Sequence, residues 1–193
     1  MKLRNILILA LVLLCTAALA GCDKEKLPAG SSGSEPLSSS SSLAAGSSSV
    51  SGKSAGVMNI KVYYPDVNAV GLVGVEKTVK AAEADKYRAA VEALLAGTED
   101  KRLTTVFPKK AKLLKVTVSG DTARVDFDKN LIKGFVGGST GEEMLVGSVV
   151  NTLTEFPEIK KVQLLVEGKE IDSLSGHLDL TRPMTRMDEL ITR

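Results

Sequence analysis

The chain is short of the residues that most metal and redox chemistry requires. Its 193 residues include one histidine, His177, and two cysteines, Cys15 and Cys22, both near the start. With no cysteine after position 22, neither the usual zinc ligand sets nor a disulfide framework can be assembled in the rest of the chain. Basic clusters are missing too. The formal charge is +2, and it falls to zero if Lys2 and Arg4 are removed, which leaves no electrostatic footprint for nucleic acid. The apolar run from Ile6 to Ala20 is too short to cross a bilayer comfortably. With 44% hydrophobic residues, the length suits one domain with a real core and not two.

What stands at the start is a basic pair, an apolar middle and a small-residue end, the layout of a secretory signal peptide over residues 1–21. Leu19-Ala20-Gly21-Cys22 resembles the lipobox of bacterial lipoproteins. That resemblance implies that Cys22 is lipidated and becomes the mature N-terminus, with Cys15 discarded in the leader. Asp23 ends the apolar run at once. An uncleaved anchor helix, or a plain signal with an incidental cysteine, leaves the placement of Cys22 unexplained. The mature chain would then lack any disulfide and be held together by packing alone. After Cys22, residues 23–56 are dominated by serine, glycine and alanine and hold no aromatic residue. Such a segment buries almost nothing and reads as a flexible tether, with an r.m.s. span of roughly 30 Å. Gly52-Lys53-Ser54 lacks both the upstream glycine spacing and the strand that a phosphate-binding loop needs.

The folded part is expected over 57–182, followed by a polar tail over 183–193. Met58, Ile60, Val62 and Tyr64 alternate with polar residues, a strand that Pro65 ends. A second strand is expected from Leu72 to Val79, interrupted at Gly74. Tyr87, Ala90, Val91, Leu94 and Leu95 share a helical face, and Gly97 sits where a C-terminal cap belongs. Leu114, Val116 and Val118 face Ala123, Val125 and Phe127 across the two-residue turn Gly120-Asp121. Lys112 and Lys115 would blunt an exposed edge there. Leu178-Asp179-Leu180 reads as a further short strand.

The strongest fold signal is the stretch from Ser139 to Gly168. Ser139 and Glu142 have capping-box spacing, and Leu145, Val149, Leu153 and Phe156 recur at helical spacing, widened by Val146 and Val150. Pro157 stops the helix, and the period then switches to two at Val162, Leu164 and Val166. Together these elements predict an α+β fold, with a small, mainly antiparallel sheet and two amphipathic helices packed on one face in a βαββαβ-like order.

The same stretch carries a family resemblance. Thr152-Leu153-Thr154-Glu155, Pro157, Val162 and Val166-Glu167-Gly168, with Val62-Tyr63-Tyr64-Pro65 and Ala93-Leu94-Leu95-Ala96-Gly97 upstream, resemble the signature of the GerMN domain. That domain belongs to sporulation and spore-germination lipoproteins and related envelope lipoproteins of bacteria. The resemblance covers roughly residues 57 to 182, and it implies a ring-building-motif-like architecture and assembly with other membrane proteins.

Four patterns in the sequence could carry chemistry. Gly137-Gly138-Ser139-Thr140-Gly141 fits G-x-S-x-G, with His177 and Asp179 downstream. However, no strand ends close enough before Ser139 to form the strained elbow, and the partner order is reversed. The glycines at 134, 137, 138 and 141 could cradle an anion at the helix start, where Glu142 and Glu143 would repel it. Asp126 and Asp128 share a strand face without further ligands and read as a solvated face. His177 reads as a loop residue. The expectation is therefore a non-enzymatic domain with no catalytic, cofactor or metal site and with Cys22 as the lipidated residue. Its place is the extracytoplasmic face of the cell membrane. Its partners are the membrane through the lipid anchor, other envelope proteins and further copies of itself, and not nucleic acid. The competing reading is a binding module for a cell-wall fragment or small ligand.

Overall fold

A computed structural model describes residues 56–192. Cys22, the leader and the expected tether lie outside them. Strands β1 (Gly56–Pro65) and β2 (Leu72–Ala81) form a long antiparallel hairpin with an unbroken register from Gly56↔Ala81 to Pro65↔Leu72. Gly74 does not interrupt β2. A Cβ there would lie 3.0 Å from Lys61 Cδ and 3.3 Å from Tyr63 Cε1, so the glycine makes room for side chains crossing from β1. Helix α1 (Lys86–Leu95) buries Ala90, Val91 and Leu94. It ends with Gly97 at φ +78° and the Gly97 amide donating to Leu94 O, the cap expected from sequence.

The second sheet begins with β3 (Leu113–Ser119) and β4 (Thr122–Phe127), joined through Gly120 at φ +59°. Ser119 pairs with Thr122, so the connection is the tight hairpin expected at Gly120-Asp121. A four-residue turn, α2 (Asn130–Lys133), precedes α3 (Ser139–Leu153), which leads to β5 (Lys161–Val166). Strand β5 lies parallel to β4, because the chain crosses over through α3 between them. Two short strands, β6 (Lys169–Glu170) and β7 (Met184–Thr185), pair antiparallel with β5.

The α+β class holds, but the single, mainly antiparallel sheet resolves into two: the β1–β2 hairpin and a mixed sheet in the order β3-β4-β5-β6, with β7 also on β5. The picture of two amphipathic helices also changes. α1 is amphipathic, whereas α3 is buried on all sides. From Met144 to Leu153 no residue of α3 is exposed, and Ser148, Asn151 and Thr152 are covered along with the apolar residues. One core joins the hairpin, both helices and the mixed sheet, with Tyr64, Leu94, Phe127, Leu145, Leu153 and Leu164 among its fully covered side chains.

The expected polar tail over 183–193 is instead part of the fold as far as Thr192. Met184 pairs with Val162, Thr192 donates its amide to Leu72 O at 2.9 Å, and Ile191 bridges Leu72 in parallel. The buried Asn151 amide reads Met187 from both sides: Nδ2 donates to Met187 O at 3.0 Å and Oδ1 accepts from Met187 N at 2.8 Å. Gly147 permits this approach, since a Cβ there would lie 2.7 Å from Leu190 Cδ1 and 3.0 Å from Leu72 Cδ1. Leu178-Asp179-Leu180 forms no strand; Leu180 O instead accepts from the buried Gln163 side chain at 2.7 Å. Deleting residues 184–193 orphans the Asn151 amide and uncovers Leu72. A loss of about 3 kcal/mol or more is expected, measured as a lower urea midpoint against the full chain.

Candidate functional site

The residues that fit a hydrolase pattern are dispersed. Ser139 is exposed in the first turn of α3 and His177 is exposed in a loop. The Asp179 carboxylate accepts from Thr181 N at 3.0 Å and Thr181 Oγ1 at 2.6 Å. No hydrogen bond joins Ser139, His177 and Asp179 among the described residues. The expected capping box does not form either. Gly138, in an extended conformation, is the N-cap of α3, and no side chain caps it.

Glu142 turns away from the helix start because another segment claims it. Its Oε1 accepts the Leu174 amide at 2.7 Å, and its Oε2 accepts Ser175 Oγ at 2.7 Å and the His177 amide at 3.0 Å. The side chain is fully buried. Burial alone would push its pKa up. The bonds from the Ser175 hydroxyl and from the Leu174, His177 and Ser175 amides outweigh that, and the carboxyl is held below its ordinary value. Its position in the first turn of α3 also complements the helix dipole. Here Glu142 is a clamp that fixes the backbone of residues 174–177, so the G-x-S-x-G segment and His177 are neighbours through a structural carboxylate.

Two of the glycines before α3 sit in tight places: a Cβ at Gly134 would lie 2.9 Å from Pro108 Cβ, and one at Gly137 would lie 2.9 Å from Phe135 Cζ, whereas nothing lies within 4 Å of one at Gly138. Asp126 and Asp128 are half-exposed, and each also binds the backbone of a loop. Asp126 Oδ1 accepts the Gly168 amide at 2.8 Å, while Asp128 Oδ1 accepts the Lys112 amide at 3.0 Å and the Asn130 amide at 3.2 Å. Each pins a neighbouring loop. Among the described residues there is no group of three His, Cys, Asp or Glu side chains arranged for a metal ion.

At the other end of α3 a cluster forms that the linear pattern did not reveal. Tyr63 Oη donates to Glu155 Oε1 at 2.6 Å, and Arg186 Nη2 donates to the same oxygen at 2.7 Å and to Tyr63 Oη at 2.9 Å. The guanidinium lies 5.4 Å from the Tyr63 ring centre, within cation–π range. Lys61 adds a looser contact to Glu155 at 3.7 Å. Burial raises the Glu155 carboxyl, but the bonds from Tyr63 and Arg186 win and hold it low. Burial raises the Tyr63 phenol as well. Thr152 Oγ1 accepts the Tyr63 amide at 3.0 Å. The Thr152–Glu155 signature thus grips Tyr63 of the other signature segment. Only the shared Tyr63 and Glu155 positions hinted at this from sequence. Arg186 had no signal at all.

A cleft of about 500 Å³ runs past Asp66, Val73, Gly74, Glu76, Asp100 and Arg102. Two of its acids are engaged: Asp66 accepts from the Asn68, Val70 and Gly71 amides, and Asp100 is forked by Arg102, while the exposed Glu76 has only a loose 3.9 Å contact to Lys61. What the polar clusters do is fasten remote segments to α3.

Replacing Glu142 with Gln presents a donor to three donors, with an expected loss of about 1–3 kcal/mol near pH 7. The folded carboxyl is depressed below its ordinary 4.5. Its stabilisation is therefore complete above the unfolded-state value and is lost as pH falls through the folded one. The gap between wild type and Glu142→Gln should narrow on acidification, read by urea unfolding near neutrality and below about pH 4.

The fold has known counterparts. The first GerMN domain of the sporulation protein GerM from Bacillus subtilis matches with a TM-score of 0.53 and 23% identity, over 67% of this chain and 98% of that one. The tandem GerMN domains of the same protein match with a TM-score of 0.54 and 26% identity, over 70% of this chain and 48% of theirs, so this chain spans about half of the pair. A protein from Clostridium perfringens described as a candidate lipoprotein matches with a TM-score of 0.50 and 24% identity, over 67% of this chain and 88% of that one. No curated protein matches. The family model described as sporulation and spore germination (Germane) matches residues 61–172. That span is more than half of the chain, and it holds both helices and most of the sheet framework built around them: this protein belongs to the sporulation and spore germination family and carries a GerMN domain.

Proposed function

We propose that the protein is a membrane-anchored extracytoplasmic lipoprotein whose GerMN domain works without catalysis, as a structural or adaptor part of an envelope protein complex. The observation that carries this reading is the direction in which the domain spends its polar chemistry. Glu142, Asn151, Glu155 and Arg186 all hold the chain to itself, and Asp66 and Asp100 beside the cleft serve their own loops. Facing outward are apolar side chains on edges and turns: Leu114 and Val118 on β3, Val67 and Val70 at the tip of the β1–β2 hairpin, and Val136. Apolar groups on a firm framework suit contact with proteins better than turnover of a substrate.

The anchoring half of the proposal rests on Leu19-Ala20-Gly21-Cys22. The lipoprotein description of the Clostridium perfringens relative agrees with it. Two acyl chains, at about 0.8 kcal/mol per buried methylene, give lasting attachment. The family's link to sporulation and germination gives the setting in which the partners are to be sought.

Metabolic labelling with a click-reactive palmitate is expected to tag the wild-type chain and leave Cys22→Ala unlabelled and out of the membrane fraction. In-cell crosslinking of the anchored protein is expected to capture envelope proteins. Substituting Ser139→Ala should leave both the captured set and the cellular phenotype unchanged; loss of function with this variant would favour a hydrolase instead. Retention on purified peptidoglycan without any captured protein would favour the ligand-binding reading.

A further inference from the structure

Beyond Leu72, the outer edge of β2 is hydrogen-bonding surface that no described residue occupies. The Asp66 amide donates to Gly71 O, and Thr192 N donates to Leu72 O on the opposite side. In an unbroken antiparallel register, residues alternate between facing the partner strand and facing outward. Val73, Val75, Lys77 and Val79 therefore face β1, and the amides and carbonyls of Gly74, Glu76, Thr78 and Lys80 face outward. None of these outward groups has a protein partner among the described residues. All four residues are exposed, and the side chains of Glu76, Thr78 and Lys80 stand on one face of the sheet. The C-terminal segment covers this edge only at Leu72.

We propose that this edge pairs with the same edge of a second copy of the chain, antiparallel and centred on Thr78. Placed about that centre, Glu76 lies opposite the partner's Lys80, Lys80 lies opposite the partner's Glu76, and Thr78 faces its own counterpart. Opposite charges directly across an antiparallel pair are stabilising and like charges destabilising, so the exposed row is complementary to itself. Shifting the centre by one residue to Lys77 sets Lys77 against its counterpart and leaves both Glu76 charges unmatched. Charge thus selects the register. The Thr78-centred register also keeps the contact clear of Leu72, where Thr192 already sits. The β3 edge is less open, since Arg88 Nη1 already donates to Leu114 O. The pairing goes beyond the adaptor reading: it names a partner and a register, and an adaptor that works as a monomer remains an adaptor.

The test uses the full chain with Cys15 and Cys22 replaced by Ser, into which Thr78→Cys is introduced. A hydrogen-bonded antiparallel pair places its Cα atoms about 5.5 Å apart, inside the range a disulfide spans. Mild oxidation is expected to convert most of this variant to a covalent dimer on a non-reducing gel. Adding Lys80→Glu should weaken the crosslinking about tenfold as two attractions become two repulsions. Combining Glu76→Lys with Lys80→Glu should restore it. Thr78→Pro removes an outward-facing amide and one exposed hydroxyl bond, from Thr78 Oγ1 to Asn59 Oδ1, so it should leave the fold intact by circular dichroism and abolish dimerisation by sedimentation. A monomeric Thr78→Cys variant, or efficient crosslinking through Val118→Cys on β3 in its place, overturns the proposal. Neither result bears on whether crosslinking in cells finds other envelope proteins.

Discussion

A helix buried on every side cannot leave a polar group to water, and that constraint organises this domain. α3 carries Glu142, Ser148, Asn151 and Thr152 in positions without exposure, and a buried polar group without a partner is costly; Ser148 Oγ has none among the described residues, and the other three are satisfied. Each of the three finds its partner far away in sequence: Glu142 in the loop at 174–177, Asn151 in Met187, Thr152 in Tyr63. These three reach the mixed sheet's loop, the C-terminal segment and the long hairpin. The helix is therefore the frame as well as the centre of the core, and its polar residues decide where the remaining segments settle.

This explains what could and could not be read along the sequence. Elements governed by local rules were legible. Period-two alternation marked β1 and β5, the Gly120 turn marked the β3–β4 hairpin, and Gly97 marked the end of α1. Residues whose partners are remote were misread, because a linear pattern supplies the nearest partner. Glu142 stands three residues after Ser139 and so suggested a capping box, yet the loop more than thirty residues on offers it three donors. The loops that the half-exposed Asp126 and Asp128 hold were hidden for the same reason. The C-terminal segment looked polar because its few apolar residues, Met184, Met187, Leu190 and Ile191, show no period. The segment is held by the pairing of Met184 with Val162, the bonds of Met187 to Asn151 and the bridge of Ile191 to Leu72, and not by a continuous stripe.

The family signature also acquires a physical meaning. Thr152 and Glu155, at the end of α3, meet Tyr63 on β1, with Arg186 closing the group from the C-terminal side. Residues that resemble a motif are thus contacts between the helix and the hairpin, and they report a fold more directly than an activity. That is in keeping with solved relatives of 23–26% identity that share the architecture.

The direction of β1 has a mechanical side. The chain enters the described domain at Gly56 and runs the full length of the hairpin to Pro65, about 30 Å away for ten extended residues. Leu72 and the C-terminal Thr192 sit at that far end. Tension applied between the segment before Gly56 and anything gripping the far end would pull along β1, loading its rungs to β2 in shear. The rungs would resist together and would not peel off one by one. A module built this way can bear a tug between its two ends and stay folded.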